Sequence, residues 1–351
     1  MSGEPGNIAE LVDPAGLAAF LAERAPEFPG EFTLERLGEG QSCLTFLVRG
    51  DGWDVVLRRP PRGDLPPTAF DVTREFRVMS ALARAGAPVP VPEPVVLCED
   101  KAVIGAPFYL MRKLNGHVVR TEIPEPLSSL RDRARMGEQL VETLVALHAV
   151  DWRAAGLEGF GKPDGYLQRQ LRRMYQLWEL AKFRDQPDIT EVGEWLGANV
   201  PKARPVTIVH GDYKLDNVIF APESPVKLIG VVDWEMSTIG DPLADLGWML
   251  YFWLDPGDSA LGLKVTSVTN LEGFPRRTDL LAHYAKATGA PVEDVLWYVA
   301  LAGWKIAIIM EGSFRRFLGG VGDHPTFAQL EKVVPALAAR SAQAMRGEFG
   351  T

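Results

Sequence analysis

The residues best suited to chemistry lie in the block HGDYKLDNVIF (210–220) and in Asp233, which closes the apolar run Val226–Val232. The block follows another short apolar run, Val206–Val209, and so falls in a loop at a strand end. The spacing to Asp233 suits two strands joined by a tight turn near PESP (222–225), a hairpin that would bring Asp212, Asn217 and Asp233 together. Moving a phosphoryl group calls for these residue types. One carboxylate orients and deprotonates a hydroxyl, while an amide oxygen and a second carboxylate offer Mg2+ the hard ligands it takes. Lys214, just beyond Asp212, is near enough to meet the phosphate as a point charge. An Asp in an isolated HGD is most often a turn cap; the ordered combination argues against that here.

HGDxxxxN followed by VVDW (231–234) resembles the aminoglycoside phosphotransferase and choline kinase group, which shares the protein-kinase-like fold. The resemblance implies Asp212 as catalytic base and Asn217 and Asp233 as ligands of Mg2+, with ATP as donor in the cleft of a bilobal protein. It implies that His210 packs beneath the catalytic loop. It also implies that Asp245, in GDPLADLGW (240–248), accepts hydrogen bonds from the loop backbone.

The nucleotide side is read from the first third of the chain. LGEGQSCLTFLV (37–48) puts Gly38, Gly40 and Ser42 in a turn between strands, where backbone N–H groups can approach phosphates. Alternation along the next strand puts Val56 and Arg58 on one face, Val56 toward adenine and Arg58 toward the phosphates. The wider group mostly has Lys there, and Arg59 is a possible substitute for Arg58 as the phosphate contact. Glu75 matches the ion-pair partner of that basic residue, against the bland alternative of a surface Glu. The strand Pro107–Arg112 leads to a hinge where backbone from Met111 to Lys113 would meet the adenine edge.

Positioning these groups calls for two kinds of structure. Residues 8–25 read as a short amphipathic helix, and Phe32–Leu37, Leu44–Val48 and Asp54–Arg58 as strands. Asp71 opens a helix with Val72, Phe76, Met79 and Leu82 at helical spacing, ended by Gly86. Val95–Cys98 and Pro107–Arg112 add two strands. After residue 114 the pattern turns helical. Ser129 is a candidate N-cap for a helix with Met136, Leu140, Leu144 and Leu147 on one face, and a second helix runs from about Tyr166 to Phe183. The expectation is an α+β, bilobal protein-kinase-like fold. Residues 1–113 form a small antiparallel β N-lobe with one helix, and 114–351 a mainly helical C-lobe.

Composition narrows the partners. With 46% hydrophobic and 24% charged residues, the 351-residue chain can bury a sizeable core. The net charge of −9 argues against a nucleic-acid partner. Cys43 and Cys98 read as small buried residues in a reducing compartment. The first residues have no basic or apolar leader region. Val295–Met310, interrupted by Gly303 and Lys305, reads as a buried helix too short to cross a bilayer. A cytoplasmic protein with no membrane partner is expected; its oligomeric state is left open.

The resemblance implies a small molecule with a hydroxyl as the phosphate acceptor. GEGQS, VLRRPP, DVTREFRVMSAL and GYLQRQLRRMYQLWELAK (165–182) are similar to the kinase-like domain that in some animals is fused ahead of an acyl-CoA dehydrogenase domain. That kinship suggests a hydroxyacyl-CoA, with Arg169, Arg172 and Arg173 facing its phosphates or forming a solvated helix face. An aminoglycoside or amino-alcohol is the alternative; for it, Asp185, Asp188, Glu191 and Glu194 offer acidic character or an ordinary helix start. A catalytically silent nucleotide-binding module is a third reading, motivated by Arg58.

Overall fold

The computed structural model describes residues 8–38, 43–62, 71–263, 267–320 and 326–350. They divide into two compact units. One holds the chain up to Asn115 together with Arg153–Leu157 and Gly230–Ser237; the other holds the rest. The fold is α+β and kinase-like.

The first unit is built on a five-stranded sheet. Its elements are α1 (Ile8–Leu11), α2 (Pro14–Arg24), β1 (Phe32–Leu37), β2 (Leu44–Gly50), β3 (Trp53–Arg59), α3 (Val72–Arg84), β4 (Pro94–Cys98), α4 (Lys101–Ile104) and β5 (Phe108–Arg112). The strand order is β1-β2-β3-β5-β4, every pair antiparallel. The expected single helix over 8–25 is two. Pro14 has no N–H to give and suits the first position of a new helix, and the Asp13 side chain caps it by accepting from Ala15 N at 3.0 Å. Leu17, Leu21 and Phe28 pack with Phe46, Val55, Leu57 and Phe108 as one core. That leaves Val56 and Arg58 on the opposite face, by the period of two. α3 begins at the Asp71 cap, which accepts from Thr73 N at 3.0 Å, and Gly86 beyond it takes the left-handed φ of 59°. The segment 230–237 is tied in by Val231 N donating to Pro90 O (2.7 Å) and by Arg74 donating to Ser237 O (3.2 Å). Cys43 and Cys98 are buried free thiols.

The second unit contains α5 (Leu130–His148), α6 (Tyr166–Ala181), α7 (Pro187–Ala198), β6 (Thr207–Val209), β7 (Val218–Phe220), β8 (Leu228–Val231, whose last residues pass into the first unit), β9 (Thr238–Gly240), α8 (Leu243–Phe252), α9 (Arg277–Thr288), α10 (Val295–Leu318) and α11 (Thr326–Met345). Ser129 caps α5, and Met136, Leu140, Leu144 and Leu147 on its inward face are fully buried. β7 and β8 form the hairpin expected across PESP. Buried Asp132 of α5 clamps its turn, accepting from Ser224 Oγ (2.9 Å) and Val226 N (2.9 Å). One short strand escaped the sequence pattern, β9. β9 pairs with β6, Ile239 opposite Ile208.

α10 is the central helix of this unit. It continues to Leu318, longer than the apolar run suggests, and is long and apolar enough to cross a membrane by length and composition. Yet 67% of its most apolar stretch is buried inside the unit, as a core helix would be. Glu311 on it is 0% exposed and takes Arg184 in a two-pronged ion pair at 2.8–3.2 Å, which fastens the α6–α7 connection. α8 and α10 approach closely at Gly247, where a Cβ would stand 2.5 Å from Tyr298 Cβ and 2.6 Å from its carbonyl carbon. Gly247→Ala therefore sets two effects against each other. Alanine favours a helix by about 1 kcal/mol over glycine, while overpacking against backbone costs about 1–3 kcal/mol. We expect overpacking to win and the denaturant midpoint to fall; an unchanged or raised midpoint would show that the two helices can slide apart freely.

Candidate active site

The loop after β6 is shaped by one buried carboxylate. Asp245, in the first turn of α8 and 0% exposed, accepts from His210 N (2.7 Å, Oδ2) and Gly211 N (2.8 Å, Oδ1). Gly211 has φ 87°, a left-handed conformation that a Cβ would penalise, which accounts for the glycine of HGD. His210 is fully buried beneath the loop, as the resemblance implied. Its Nδ1 accepts from Asp212 N at 3.2 Å, and its ring meets Tyr213 edge-on. Behind Asp245, His148 Nε2 stands 3.5 Å from Oδ2 and its Nδ1 lies 2.8 Å from Tyr284 Oη. A cavity of about 830 Å³ reaches His148, Leu243 and Tyr284 on that rear side; Asp212, Lys214 and Asn217 do not line it.

The Asp212 carboxylate meets donors at both oxygens. Oδ1 accepts from Trp248 Nε1 at 2.7 Å. Oδ2 accepts from Lys214 Nζ at 2.6 Å and from Asn217 Nδ2 at 2.7 Å. The structure thus brings Asp212, Lys214 and Asn217 together. Lys214 is already ion-paired with the carboxylate beside it rather than extended into solvent, and Asp216 Oδ1 lies 3.8 Å from its ammonium. Burial pushes the Asp216 carboxyl up, with Lys214 pulling the other way. Asn217 also donates to Asp212 O (2.8 Å), so its amide nitrogen is committed. Its Oδ1 accepts no hydrogen bond among the described residues.

Asp233 belongs to the first unit, where it joins Arg58 and Glu75. Arg58 Nη2 stands 2.9 Å from Asp233 Oδ1 and 3.3 Å from Glu75 Oε1, and Nε lies 2.9 Å from Glu75 Oε2. Glu75 is not a surface acid: it is 1% exposed and also accepts from Tyr109 Oη at 2.9 Å and Cys43 Sγ at 3.5 Å. Burial works against the guanidinium charge, but Glu75, Tyr109 and Asp233 outweigh it and hold Arg58 well above the ordinary arginine range. Asp233 takes φ 68° and ψ 57°, a left-handed conformation that costs a non-glycine residue of order 1–3 kcal/mol. Arg59 points to the other face, donating to the carbonyls of Leu11 and Ile104. Of the two arginines, Arg58 alone shares Val56's face.

The remaining expected nucleotide contacts are scattered along the same sheet. Gly38 has φ 74° just after β1; Gly40 and Ser42 lie outside the described residues. Val56 and Met111 are opposite each other in the β3–β5 ladder, both nearly buried. Lys113 pairs with Asp54 at 3.2 Å. Burial alone would raise the Asp54 carboxyl, but Lys113 and Arg49 hold it below the usual range. On α6, Arg169 is tied to the carbonyls of Lys162 and Asp164, so of the three arginines only Arg172 and Arg173 present exposed side chains.

Sequence reasoning gave no role to Trp248, the end of GDPLADLGW, although its indole holds Asp212. It also passed over Tyr109, and treated Lys305 only as an interruption in an apolar run. An indole at the end of a motif carries no polar signature, and which group it meets depends on how α8 packs. Asp245 should be the costliest residue of the loop to lose. Asp245→Ala removes the acceptor of the buried His210 amide and of the half-buried Gly211 amide, about 1–3 kcal/mol for the first and less for the second, read as a loss of unfolding free energy in denaturant. A loss below about 1 kcal/mol would show that other contacts hold the loop.

Residues 33–299 match the model of the phosphotransferase enzyme family. Acyl-CoA dehydrogenase family member 11 of Gallus gallus is 34% identical over 353 residues, 96% of this chain. Acyl-CoA dehydrogenase family member 10 of Mus musculus is 34% identical over 312 residues, 88% of this chain. The chain spans less than half the length of these relatives, 44% of the first and 29% of the second. Among solved structures, a provisionally named aminoglycoside phosphotransferase from Ralstonia eutropha superposes with a TM-score of 0.81 at 30% identity, covering 96% of this chain and 99% of that one. Aminoglycoside 2'-phosphotransferase-IIIa, at 17% identity and a TM-score of 0.64 over 93% of this chain and 99% of its own, shares the fold. With its family model spanning both the β3–α3 elements and the HGD loop, the chain belongs to the phosphotransferase enzyme family.

Proposed function

We propose that the protein is an ATP- and Mg2+-dependent small-molecule kinase that transfers the γ-phosphoryl group to an acceptor hydroxyl. The observation that carries this reading is the Asp212 carboxylate, held from both sides by Trp248, Lys214 and Asn217 on a loop that Asp245 fixes. A carboxylate so constrained orients a hydroxyl and takes its proton as the bond to phosphorus forms, a role dominated by positioning. Lys214 sits beside it to balance charge on the incoming phosphate. Arg58, kept charged between Glu75 and Asp233, serves the donor phosphates, with Gly38, Gly40, Ser42, Val56, Met111 and Lys113 as the remaining nucleotide contacts. The domain division that goes with this reading is a nucleotide-binding part, 1–113, and a catalytic and acceptor part, 114–351.

Each of the two expected ligands, taken by itself, offers an oxygen suited to magnesium. Asn217 has committed its amide nitrogen to Asp212, and its Oδ1, like Oδ2 of Asp233, has no hydrogen-bond partner among the described residues. Both are hard oxygens of the kind Mg2+ takes. When bound, the ion would neutralise phosphate charge.

For the acceptor we propose a hydroxyacyl-CoA, a reading to which the relatives' naming for acyl-CoA adds support, while the name of the Ralstonia protein supports an aminoglycoside as the second reading. Against the second, Asp188 lies in the first turn of α7, where an acid serves the helix itself, and Asp185, Glu191 and Glu194 are exposed. The silent-module reading has the intact Asp212, Asn217 and Asp233 against it.

The test is magnesium-dependent ATP consumption across hydroxyacyl-CoAs, aminoglycosides and amino-alcohols. Asp212→Asn should keep nucleotide binding and lose turnover by about 10²–10⁴-fold. Asp233→Ala should lose metal-dependent nucleotide binding itself, measured by calorimetry with and without Mg2+. Normal turnover in Asp212→Asn would remove Asp212 as the base, and nucleotide binding without turnover across the whole panel would favour the silent module.

A further inference from the structure

Lys305 lies midway along α10, between Trp304 and Ala307, both buried. Its ammonium stands 5.3 Å from the centre of the Trp248 ring. The same indole donates its N–H to Asp212 Oδ1. Trp248 thus carries the candidate base on its edge and a lysine against its face. Among the described residues Lys305 has no hydrogen bond and no ion pair; the ring face is its one polar contact.

A half-buried lysine usually snorkels to water or pairs with a carboxylate. Here the nearest charges work against each other. Burial lowers the pKa of Lys305 to about 8, Arg173 of α6 adds to the lowering, and Asp245 and Asp212 oppose it. Arg173 is exposed and has no ion pair among the described residues. Lys305 of α10 therefore stands against the indole that holds Asp212, with Arg173 on the neighbouring α6, and neither cation has an ion pair among the described residues. A cation–π contact of about 0.5–2 kcal/mol orients the ammonium without neutralising it.

We propose that Lys305, supported by Arg173, is a specificity-determining residue that receives an anionic oxygen of the acceptor, a carboxylate or a phosphate. The protein would thereby select anionic hydroxyl compounds over polycations. This deepens, and rests on, the reading of Asp212 as the base. A polycationic acceptor would meet like charge beside the base, whereas an anionic one would complete the pair that the fold leaves open.

The experiment compares the wild type, Lys305→Met, Lys305→Arg and Arg173→Gln on four probes: 3-hydroxybutyryl-CoA, 3-hydroxybutyrate, kanamycin and choline. Initial rates give kcat and KM. Calorimetry with a nonhydrolysable ATP analogue and Mg2+ gives Kd, so the comparison does not depend on turnover. We expect Lys305→Met to raise KM or Kd for anionic probes about 10- to 100-fold, the weight of a charge-assisted hydrogen bond. kcat should change far less, kanamycin and choline should bind no worse, and Lys305→Arg should restore most of the loss. Loss with both 3-hydroxybutyrate and its CoA ester would identify the carboxylate or acyl end as the partner; loss with the ester alone would identify the CoA phosphates. The proposal is overturned if the wild type binds no anionic probe, or if Lys305→Met weakens anionic and cationic probes alike or neither. Arg173→Gln, at an exposed position, keeps the test open should Lys305→Met fail to fold; it should weaken the same anionic probes. Failure of the parent reading is separate: Asp212→Asn would turn over normally while the Kd contrast at Lys305 stayed measurable.

Discussion

A single desolvated carboxylate, Asp245, organises the chemical half of this protein. Two consecutive amides of the loop end on it, and such amides inside a protein must find acceptors. It is also the point at which distant elements meet. His148 at the end of α5 approaches one of its oxygens, and Tyr284 of α9 bonds that histidine. The carbonyl of His148 takes the hydroxyl of Thr207 in β6. The loop is therefore fixed from behind by side chains of α5, α8 and α9, while its front is left for Asp212. The low dielectric that makes Asp245 costly to bury also strengthens each bond it accepts.

The same logic recurs in the first unit with the signs exchanged. There the buried ion is a cation, Arg58, set between Glu75 and Asp233. Glu75 is oriented in turn by Tyr109 and Cys43, neither of which could be deprotonated easily, because burial beside Glu75 raises both. Burying an ion pair brings little net stability, since desolvation offsets most of the attraction. Its value lies in orientation. The guanidinium lies within ion-pair distance of both acids, and Asp233 has a left-handed backbone there. Strain retained where a functional group is presented accords with a site shaped for binding rather than for stability alone.

The groups proposed for chemistry and for acceptor choice come from different structural sources. Asp212, Lys214 and Asn217 sit on a loop whose geometry is dictated by backbone hydrogen bonds. Lys305 and Arg173 sit on helices whose other faces are core. Substitution on an exposed helix face leaves the loop's anchors untouched, so one phosphoryl-transfer loop can serve many acceptors. This is the physical reason that a family can be read so much more firmly than a substrate.

Much of the site was legible from residue order. HGD-x4-N, VVDW and the Asp of GDPLADLGW name Asp212, Asn217, Asp233 and Asp245, because these groups lie close in sequence and their spacing matches strand and turn lengths. Strand alternation put Val56 with Arg58, and the structure agrees, because a period of two follows from local backbone geometry. The break at Pro14 was visible in residue types but hidden by an amphipathic pattern that continues across it. β9, Thr-Ile-Gly, offers neither an apolar run nor an alternation to read. Residue order thus determined the phosphotransferase family, since the motifs and their local spacing are written in the chain. Only the tertiary structure decided which distant neighbours those groups have: Trp248 on Asp212, Asp233 on Arg58, and Lys305 against Trp248. Those contacts join residues far apart in sequence, and only the packing of helices and sheet brings them within reach.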